Sequence, residues 1–284
     1  MLKVSGLEFS YEGTKTKVIK GIDFHIKKGE IFGFLGPSGA GKTTTQRIII
    51  GLLQGYGGSV EVMGKERRDW GQSFFEGIGV AFDFPNLYLK LTAKENLELI
   101  SSYYKNKNEN IDLLIERVGL LPDKDKKVEG FSKGMKMRLN FIRSILHNPD
   151  LLFFDEPTSG LDPLNAKTIK DMIIDLKAQG KTIFLTTHNM TVAEQLCDKV
   201  AFIVDGNIPV IDSPKDLKVK HGSHTMKIEY YDGKKTKTEE FHMTEIKNNQ
   251  RVFDILKTKD IKTIHSQEAT LEDIFIKLTG RELV

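Results

Sequence analysis

Long hydrophobic runs are missing from this chain of 284 residues. No stretch approaches the roughly 18 consecutive apolar residues that a membrane-crossing helix needs. The segment from Met1 to Gly13 is too polar for a secretory leader. A soluble chain is therefore expected, with any membrane role supplied by a partner. Cysteine is nearly absent as well. Cys197 alone excludes an internal disulfide and suits a reducing compartment; lying in an apparent helix from Thr191, it is expected as a buried thiol rather than a nucleophile. An excess of one charge is also lacking: 42 basic against 39 acidic residues leave a net charge of +3. That balance speaks against a dedicated nucleic-acid surface, and no nucleic-acid partner is expected. Internal repeats and low-complexity tracts do not occur. The length suffices for one large domain or two unequal ones.

What the chain does contain is the stretch Gly36-Pro37-Ser38-Gly39-Ala40-Gly41-Lys42-Thr43, a glycine followed after four residues by Gly-Lys-Thr. The apolar run Ile31 to Leu35 leads into it, and a helix-compatible segment runs on from Thr44 to Leu53. Strand, loop and helix are the context in which such a loop holds phosphate. Glycines let successive N–H groups turn inward, and the helix after the loop adds its N-terminal partial charge. Lys42 is expected to reach the β- and γ-phosphates and the Thr43 hydroxyl to hold Mg2+. A nucleoside triphosphate is the implied ligand.

Residues 2 to 30 read as antiparallel strand material, with Leu2-Lys3-Val4, Leu7-Glu8-Phe9 and an alternating run from Val18 to Ile26. Strands are also expected at Ser59 to Met63, Ile78 to Phe82, Leu151 to Phe154 and Thr182 to Thr187. Thr92-Ala93-Lys94-Glu95 has capping-box spacing, and helix-like periods continue to about residue 121 with an interruption around Lys105 to Asn110. Ser132 heads a helix expected to end near Asn148-Pro149, and a further helix spans Pro163 to Ala178. Asp205-Gly206 between two apolar runs signals a hairpin. Continuous apolar strands separated by helices predict a buried, mainly parallel sheet. Beyond Lys218 to Gly222 a strand, turn, strand, helix, strand and helix suggest a small α+β appendage, with Lys234 to Lys237 as a solvated hairpin.

Three chemically suggestive sites come directly after apolar strands, where open α/β sheets place ligands. Besides the phosphate loop these are Asp155-Glu156 and His188. Asp155 is placed to organise magnesium, directly or through water. Glu156, on the other side of an extended backbone, is placed to accept a proton from water attacking the γ-phosphate. His188 is placed to donate a hydrogen bond to that phosphate or water. Alone, the acidic pair reads rather as a surface feature and the histidine as a helix cap or structural group; the phosphate loop favours the catalytic reading of the pair, and the position at a third sheet end that of the histidine.

With these motifs the chain resembles the nucleotide-binding subunit of an ATP-binding cassette (ABC) transporter. The resemblance covers residues 1 to 220 and includes Phe131-Ser132-Lys133-Gly134-Met135 as the signature segment, Leu151 to Pro157 as the Walker B strand, Ser159-Gly160-Leu161-Asp162 as the D-loop and His188 as the switch histidine. It implies an α/β fold: a P-loop NTPase of the ABC type with an antiparallel β subdomain and a helical subdomain, then the appendage at 221–284. It implies ATP hydrolysis with ATP and Mg2+ as ligands, and nucleotide contacts from Tyr11 (stacking on adenine), Gly36 to Thr43, Thr44 and Asp83. Ser132 and Gly134 are implied to contact the γ-phosphate held by a second nucleotide-binding subunit, so that two cassettes stack head to tail. Membrane-spanning permease subunits are the implied partners, contacted between Asp83 and Asn96, and the implied location is peripheral, on the cytoplasmic face of the cell membrane.

The chain departs from the family pattern at two places. Asp83 stands where glutamine is usual; it is shorter, adds negative charge and could also bind Mg2+. Lys133 and Met135 stand where glycine and glutamine are common. The end of the chain, Glu268 to Phe275 and then Leu278-Thr279-Gly280-Arg281, is similar to the ends of ABC subunits of drug, antibiotic and polysaccharide exporters. Export is therefore the expected function. An importer subunit shares the core motifs. A soluble ABC ATPase of ribosomes or DNA typically carries two cassettes, and a small-molecule kinase has no place for the Ser132 and Ser159 segments.

Overall fold

The computed structural model describes residues 1–14, 16–106, 110–222, 224–233 and 235–281. In chain order the first unit holds β1 (Leu2–Phe9), β2 (Ile19–Ile26), β3 (Ile31–Leu35), α1 (Lys42–Ile49), β4 (Gly57–Val62), β5 (Lys65–Glu66) and β6 (Ile78–Ala81). Next come α2 (Ala93–Ser101), α3 (Ile111–Arg117), α4 (Lys133–Ser144), β7 (Leu151–Asp155), α5 (Pro163–Ala178), β8 (Thr182–Thr187), α6 (Met190–Leu196), β9 (Lys199–Val204) and β10 (Asn207–Asp212). A second compact unit starts at Pro214. It consists of α7 (Pro214–His221), β11 (His224–Asp232), β12 (Lys235–His242), α8 (Gln250–Thr258), β13 (Asp260–Glu268) and α9 (Leu271–Thr279).

An antiparallel sheet of order β2-β1-β4-β5 receives the N-terminal segment. The two apolar runs of that segment form one strand rather than two. Leu2 and Val4 face the core, then Leu7 and Phe9 do, because a register shift between Val4 and Leu7 changes the phase of alternation. Gly6 takes φ 55 at this bulge. Gly58 lies so close beneath it that a Cβ there would stand 2.2 Å from the Gly6 carbonyl oxygen.

The central sheet has order β10-β9-β3-β8-β7-β6, parallel except for β10, which returns through the Asp205-Gly206 hairpin. Every residue of β3, β7 and β8 is buried. That explains the apolar runs at their centres, such as Ile183 to Leu185 and Leu151 to Phe154: both faces of a parallel sheet are covered. Rings of Phe24, Phe32, Phe34, Phe153 and Phe184 pack with centroids 5.3–6.4 Å apart between the two sheets. Gly33 admits Cys197 on the other face; a Cβ would stand 2.7 Å from its Sγ. Burial pushes that thiol well above its usual pKa, in keeping with an inert core group.

Helices α2, α3 and α4 pack together as a separate helical layer. The Thr92 capping box forms as expected, but α2 stops at Ser101 and α3 starts only at Ile111. The interruption expected around Lys105 to Asn110 falls between these two helices, part of the interval lying outside the described residues. α4 stops at Ser144, short of Asn148-Pro149. Beyond it, buried His147 donates from Nε2 to the Ile78 carbonyl (2.8 Å) and stacks on Tyr104 at 3.7 Å, pulling the chain off the helical path. Asn148 then takes φ 54.

In the second unit β11 lies between β12 and β13, antiparallel to both. Ile228, Tyr230 and Phe241 of this sheet pack against Val252 and Ile255 of α8. Of the expected basic hairpin, Lys234 lies outside the described residues, and Lys237 pairs with Asp232 at 2.5 Å. α7 packs on α9 within the same unit. Among the described residues no helix is long and apolar enough to cross a membrane.

Candidate functional site

Four neighbouring parallel strands, β3, β8, β7 and β6, end at the same edge of the central sheet. The chain leaving them carries the phosphate loop, His188, Asp155-Glu156 and Asp83 respectively. Topology alone therefore gathers most of the residues singled out in the sequence.

The loop from Gly36 to Gly41 needs its glycines for different reasons. At Gly36 a Cβ would stand 2.1 Å from the Ile203 carbonyl oxygen, so close passage of β9 excludes a side chain. Gly39 and Gly41 take φ 77 and φ 112, left-handed values that turn the chain into α1. Lys42 folds back over the loop, Nζ donating to the carbonyls of Gly36 (2.6 Å) and Pro37 (2.9 Å). Burial lowers its pKa, while the charges of Glu156 and Asp155 oppose that shift. Pro37, Ser38, Ala40 and Thr43 complete the loop. Thr44 has a partner the sequence did not announce: its Oγ1 lies 3.0 Å from the Tyr11 hydroxyl. The Tyr11 ring, 39% exposed, sits edge-on to Phe9 at 5.1 Å. One face of the nucleotide loop is thereby tied to an aromatic ring with a free flank, the arrangement that base stacking needs.

Asp155 closes β7 and is only 3% exposed. Its Oδ1 accepts from the Thr186 hydroxyl on adjacent β8, and its Oδ2 is buried with no hydrogen-bond partner. Burial raises its pKa above the usual carboxylate value; the Thr186 bond acts against this, and the charges of Asp83 and Glu156 add to it. A buried carboxylate oxygen without a partner, at the same sheet edge as a loop built for phosphate and feeling the charge of its Lys42, fits the donor set of a nucleotide-bound magnesium ion.

Glu156 is not in extended backbone, contrary to the expectation that it simply points to the opposite side of the strand from Asp155. Its φ is 49, and its N–H donates to the Thr186 carbonyl at 3.0 Å. This left-handed turn aims the carboxylate along the sheet edge toward β8. There Oε2 accepts from the Thr187 hydroxyl (3.0 Å), and Oε1 accepts from the N–H of His188 (2.8 Å) and from its Nδ1 (2.6 Å). One proton joins Oε1 and Nδ1, and with the carboxylate ionised that proton is on the imidazole. Nε2 of a neutral His188 is then an acceptor; it can donate to a phosphate only when the ring is doubly protonated.

Asp83 comes after β6 and is exposed, and its charge is felt at Asp155. Asn140 of α4 donates to the Phe82 carbonyl at 2.9 Å, connecting this loop to the helical layer. After it, Phe84, Tyr88 and Leu89 are 73%, 48% and 49% exposed. Asn96, the expected far limit of the permease contact, is instead buried; its amide binds the backbone of Tyr88 and Thr92 and shapes the loop from inside.

Ser132 and Gly134 stand apart from these groups. Ser132 caps α4 by accepting from the Met135 N–H at 3.2 Å. Gly134 lies against the loop after Glu156, where a Cβ on it would meet Leu161 at 3.5 Å. Lys133 drapes over Gly160 of the same loop. None of their described contacts reaches Lys42, Asp155, Glu156 or His188.

Sequence reasoning missed Thr186, Thr187 and Asn140, which hold Asp155, Glu156 and the β6 loop. The signal to be had was the pair of threonines directly before His188, at the end of a strand expected beside β7.

The ABC transporter family matches residues 19–159, and the fluoroquinolone efflux ABC transporter C-terminal domain matches residues 224–268. A fluoroquinolones export ATP-binding protein of Mycobacterium tuberculosis is 48% identical over 100% of this chain and 94% of its own length. The bacitracin transport ATP-binding protein of Bacillus licheniformis is 33% identical over 99% of this chain and 97% of its own. Among solved structures, a dimeric ATP-binding cassette in a post-hydrolysis state with ADP and Pi superposes with a TM-score of 0.69 at 25% identity, covering 75% of this chain and 98% of that one. The chain belongs to the ATP-binding subunits of ABC transporters and is an ATPase of that family.

Proposed function

We propose that this ATPase closes as a head-to-tail dimer on ATP and powers export through separate membrane-spanning subunits, at the cytoplasmic face of the membrane. In this reading Lys42 and the loop N–H groups hold the β- and γ-phosphates, Tyr11 stacks on the base, and Thr43 and Asp155 hold Mg2+, with Asp83 in reach of the same charges. The metal, when bound, offsets negative charge on the phosphates. Glu156 takes the proton of the attacking water. His188 orients that carboxylate through Nδ1 and, when its ring is doubly protonated, donates to the γ-phosphate through Nε2. Ser132 and Gly134, whose described contacts do not reach their own chain's sheet edge, complete the site of the opposite subunit; the start of a helix such as α4 suits a phosphate. The exposed aromatic loop after Asp83 is the surface offered to the permease.

The observation that carries the catalytic part is the three-donor grip on the Glu156 carboxylate beside Asp155. Relatives named for export of fluoroquinolones and transport of bacitracin favour a drug-like cargo. A direct test compares cells expressing the chain with its permease against cells carrying Glu156→Gln. Lower fluoroquinolone accumulation in the first is expected; equal accumulation overturns the assignment of this cargo.

A further inference from the structure

A second cavity, of about 460 Å3, opens at the other end of α1, where the chain passes through β4 and β5. The phosphate loop lies at Lys42; this cavity begins at Ile48 and Gly51. Its walls combine the rings of Tyr56, Trp70 and Phe75 with the guanidinium groups of Arg67 and Arg68, and no carboxylate is among the lining residues. The volume falls in the range of roughly 300–1,000 Å3 typical of small-molecule sites.

Arg67 is 9% exposed and lies with its Cζ 3.9 Å from the Phe74 ring centroid. It presses on Gly51, which takes φ 83 and where a Cβ would stand 1.8 Å from Nη2. Nη2 donates to the Ile50 carbonyl at 3.1 Å and so closes the C-terminus of α1. Nε is buried with no partner. Arg68 stacks its Cζ 4.1 Å from the Tyr56 ring centroid and donates to the Tyr56 and Gly58 carbonyls. Glu66 next to them is committed elsewhere, accepting from Tyr56 Oη (2.9 Å), Ser59 Oγ (2.6 Å) and the Val60 N–H. It tempers the charge of Arg68 without entering the cavity lining. A third cation, Lys65, places Nζ 5.3 Å from the Trp70 ring centroid.

A purely architectural role accounts for the carbonyl contacts: one arginine caps α1 and the other staples the turn before β4. It does not account for an open cavity that the ring faces and the two arginines border together. Nor does it account for Phe75, 44% exposed, bordering the same space. Ring faces select planar aromatic groups, and guanidinium groups select the anion attached to them. We infer that the cavity formed by Tyr56, Arg67, Arg68, Trp70 and Phe75 is a binding site for a small planar aromatic anion, separate from the nucleotide site.

Trp70 is the single tryptophan of the chain, so its fluorescence reports this cavity alone. The test titrates the full chain, with and without Mg-ATP, using 4-nitrobenzoate as the anionic probe and neutral 4-nitrobenzamide as its control. Saturable quenching by the benzoate is expected, unaffected by nucleotide, with the amide and the Arg68→Gln variant each weaker by about tenfold or more. Arg67→Gln risks the packing of α1, so Arg68→Gln and the amide carry the test. Non-saturating quenching, equal affinity for the amide, an unchanged affinity in Arg68→Gln, or displacement by Mg-ATP would each overturn the inference.

Discussion

At the nucleotide edge of the parallel sheet, Asp155 Oδ2, Thr45 Oγ1 and both polar atoms of the Gln46 side chain are buried without hydrogen-bond partners. In the C-terminal unit several charged groups are bound to each other. Asp232 is held by Lys237 (2.5 Å) and Lys259 (2.7 Å), and Glu239 by Arg251 and the Tyr230 hydroxyl, both at 2.5 Å. Two aspartates move in opposite directions as a result. Burial pushes Asp155 up, whereas hydrogen bonds from Lys237 and Lys259 push Asp232 down to about 2. A carboxylate left incomplete at one place and carboxylates completed by cations at another separate a surface prepared for a ligand from one prepared for stability. Substitutions in the first region should act mainly on turnover, and those in the second mainly on folding.

The sharpest way to break that division is to damage the C-terminal core. Ile255, 1% exposed, belongs to a small cluster with few neighbours to compensate. Ile255→Ala is expected to cost about 2–5 kcal/mol of local stability, measured by hydrogen exchange across β11 to β13, with ATP hydrolysis unchanged. Next, Gly36→Ala forces a methyl group onto the Ile203 carbonyl oxygen. An expected cost of about 1–3 kcal/mol should register in the melting temperature together with weaker ATP binding, since at this glycine fold and ligand site coincide.

Asp83→Gln sharpens the comparison from the ligand side. It removes a negative charge that Asp155 feels and restores the side chain usual in the family. ATP hydrolysis should rise, by roughly two- to fivefold, or tolerate more metal ions; no change in either sinks the role given to Asp83. The smallest effect concerns Asp232. Its folded pKa of about 2 lies below the ordinary aspartate value of 3.8. The depressed value means that the charged form favours the folded state, so this contribution is present above about pH 3.8 and is lost as pH falls toward 2. A carboxyl NMR titration should show the low midpoint, and it should return toward the ordinary range in Lys237→Gln.

Much of this is legible in local sequence. The phosphate loop announces itself because its glycines, lysine and threonine occupy fixed positions within one strand–loop–helix. The ends of β7 and β8 show because short apolar runs, Leu151 to Phe154 and Ile183 to Leu185, give way to polar residues there. The bounds of α5 are written in Pro163 and Gly180, the latter taking φ 83. The hidden part depends on groups distant in the chain. Thr186 and Thr187 reach Asp155 and Glu156 across 31 positions, and the left-handed turn at Glu156 leaves no mark in residue type. The early stop of α4 comes from a histidine that finds Ile78 on another strand. Arg67 and Arg68 read as ordinary surface charges until Gly51 and the rings around them are in place.

The central claim is that Glu156 is the base of an ATP-driven dimer, and one measurement tests it most directly. Glu156→Gln keeps the side chain's shape and removes its charge, so size and ATP hydrolysis of this variant are to be measured beside the wild type with Mg-ATP. The account predicts hydrolysis reduced by about 10²–10⁴-fold together with a stable nucleotide-bound dimer. A variant that stays monomeric and hydrolyses ATP at the wild-type rate would contradict it.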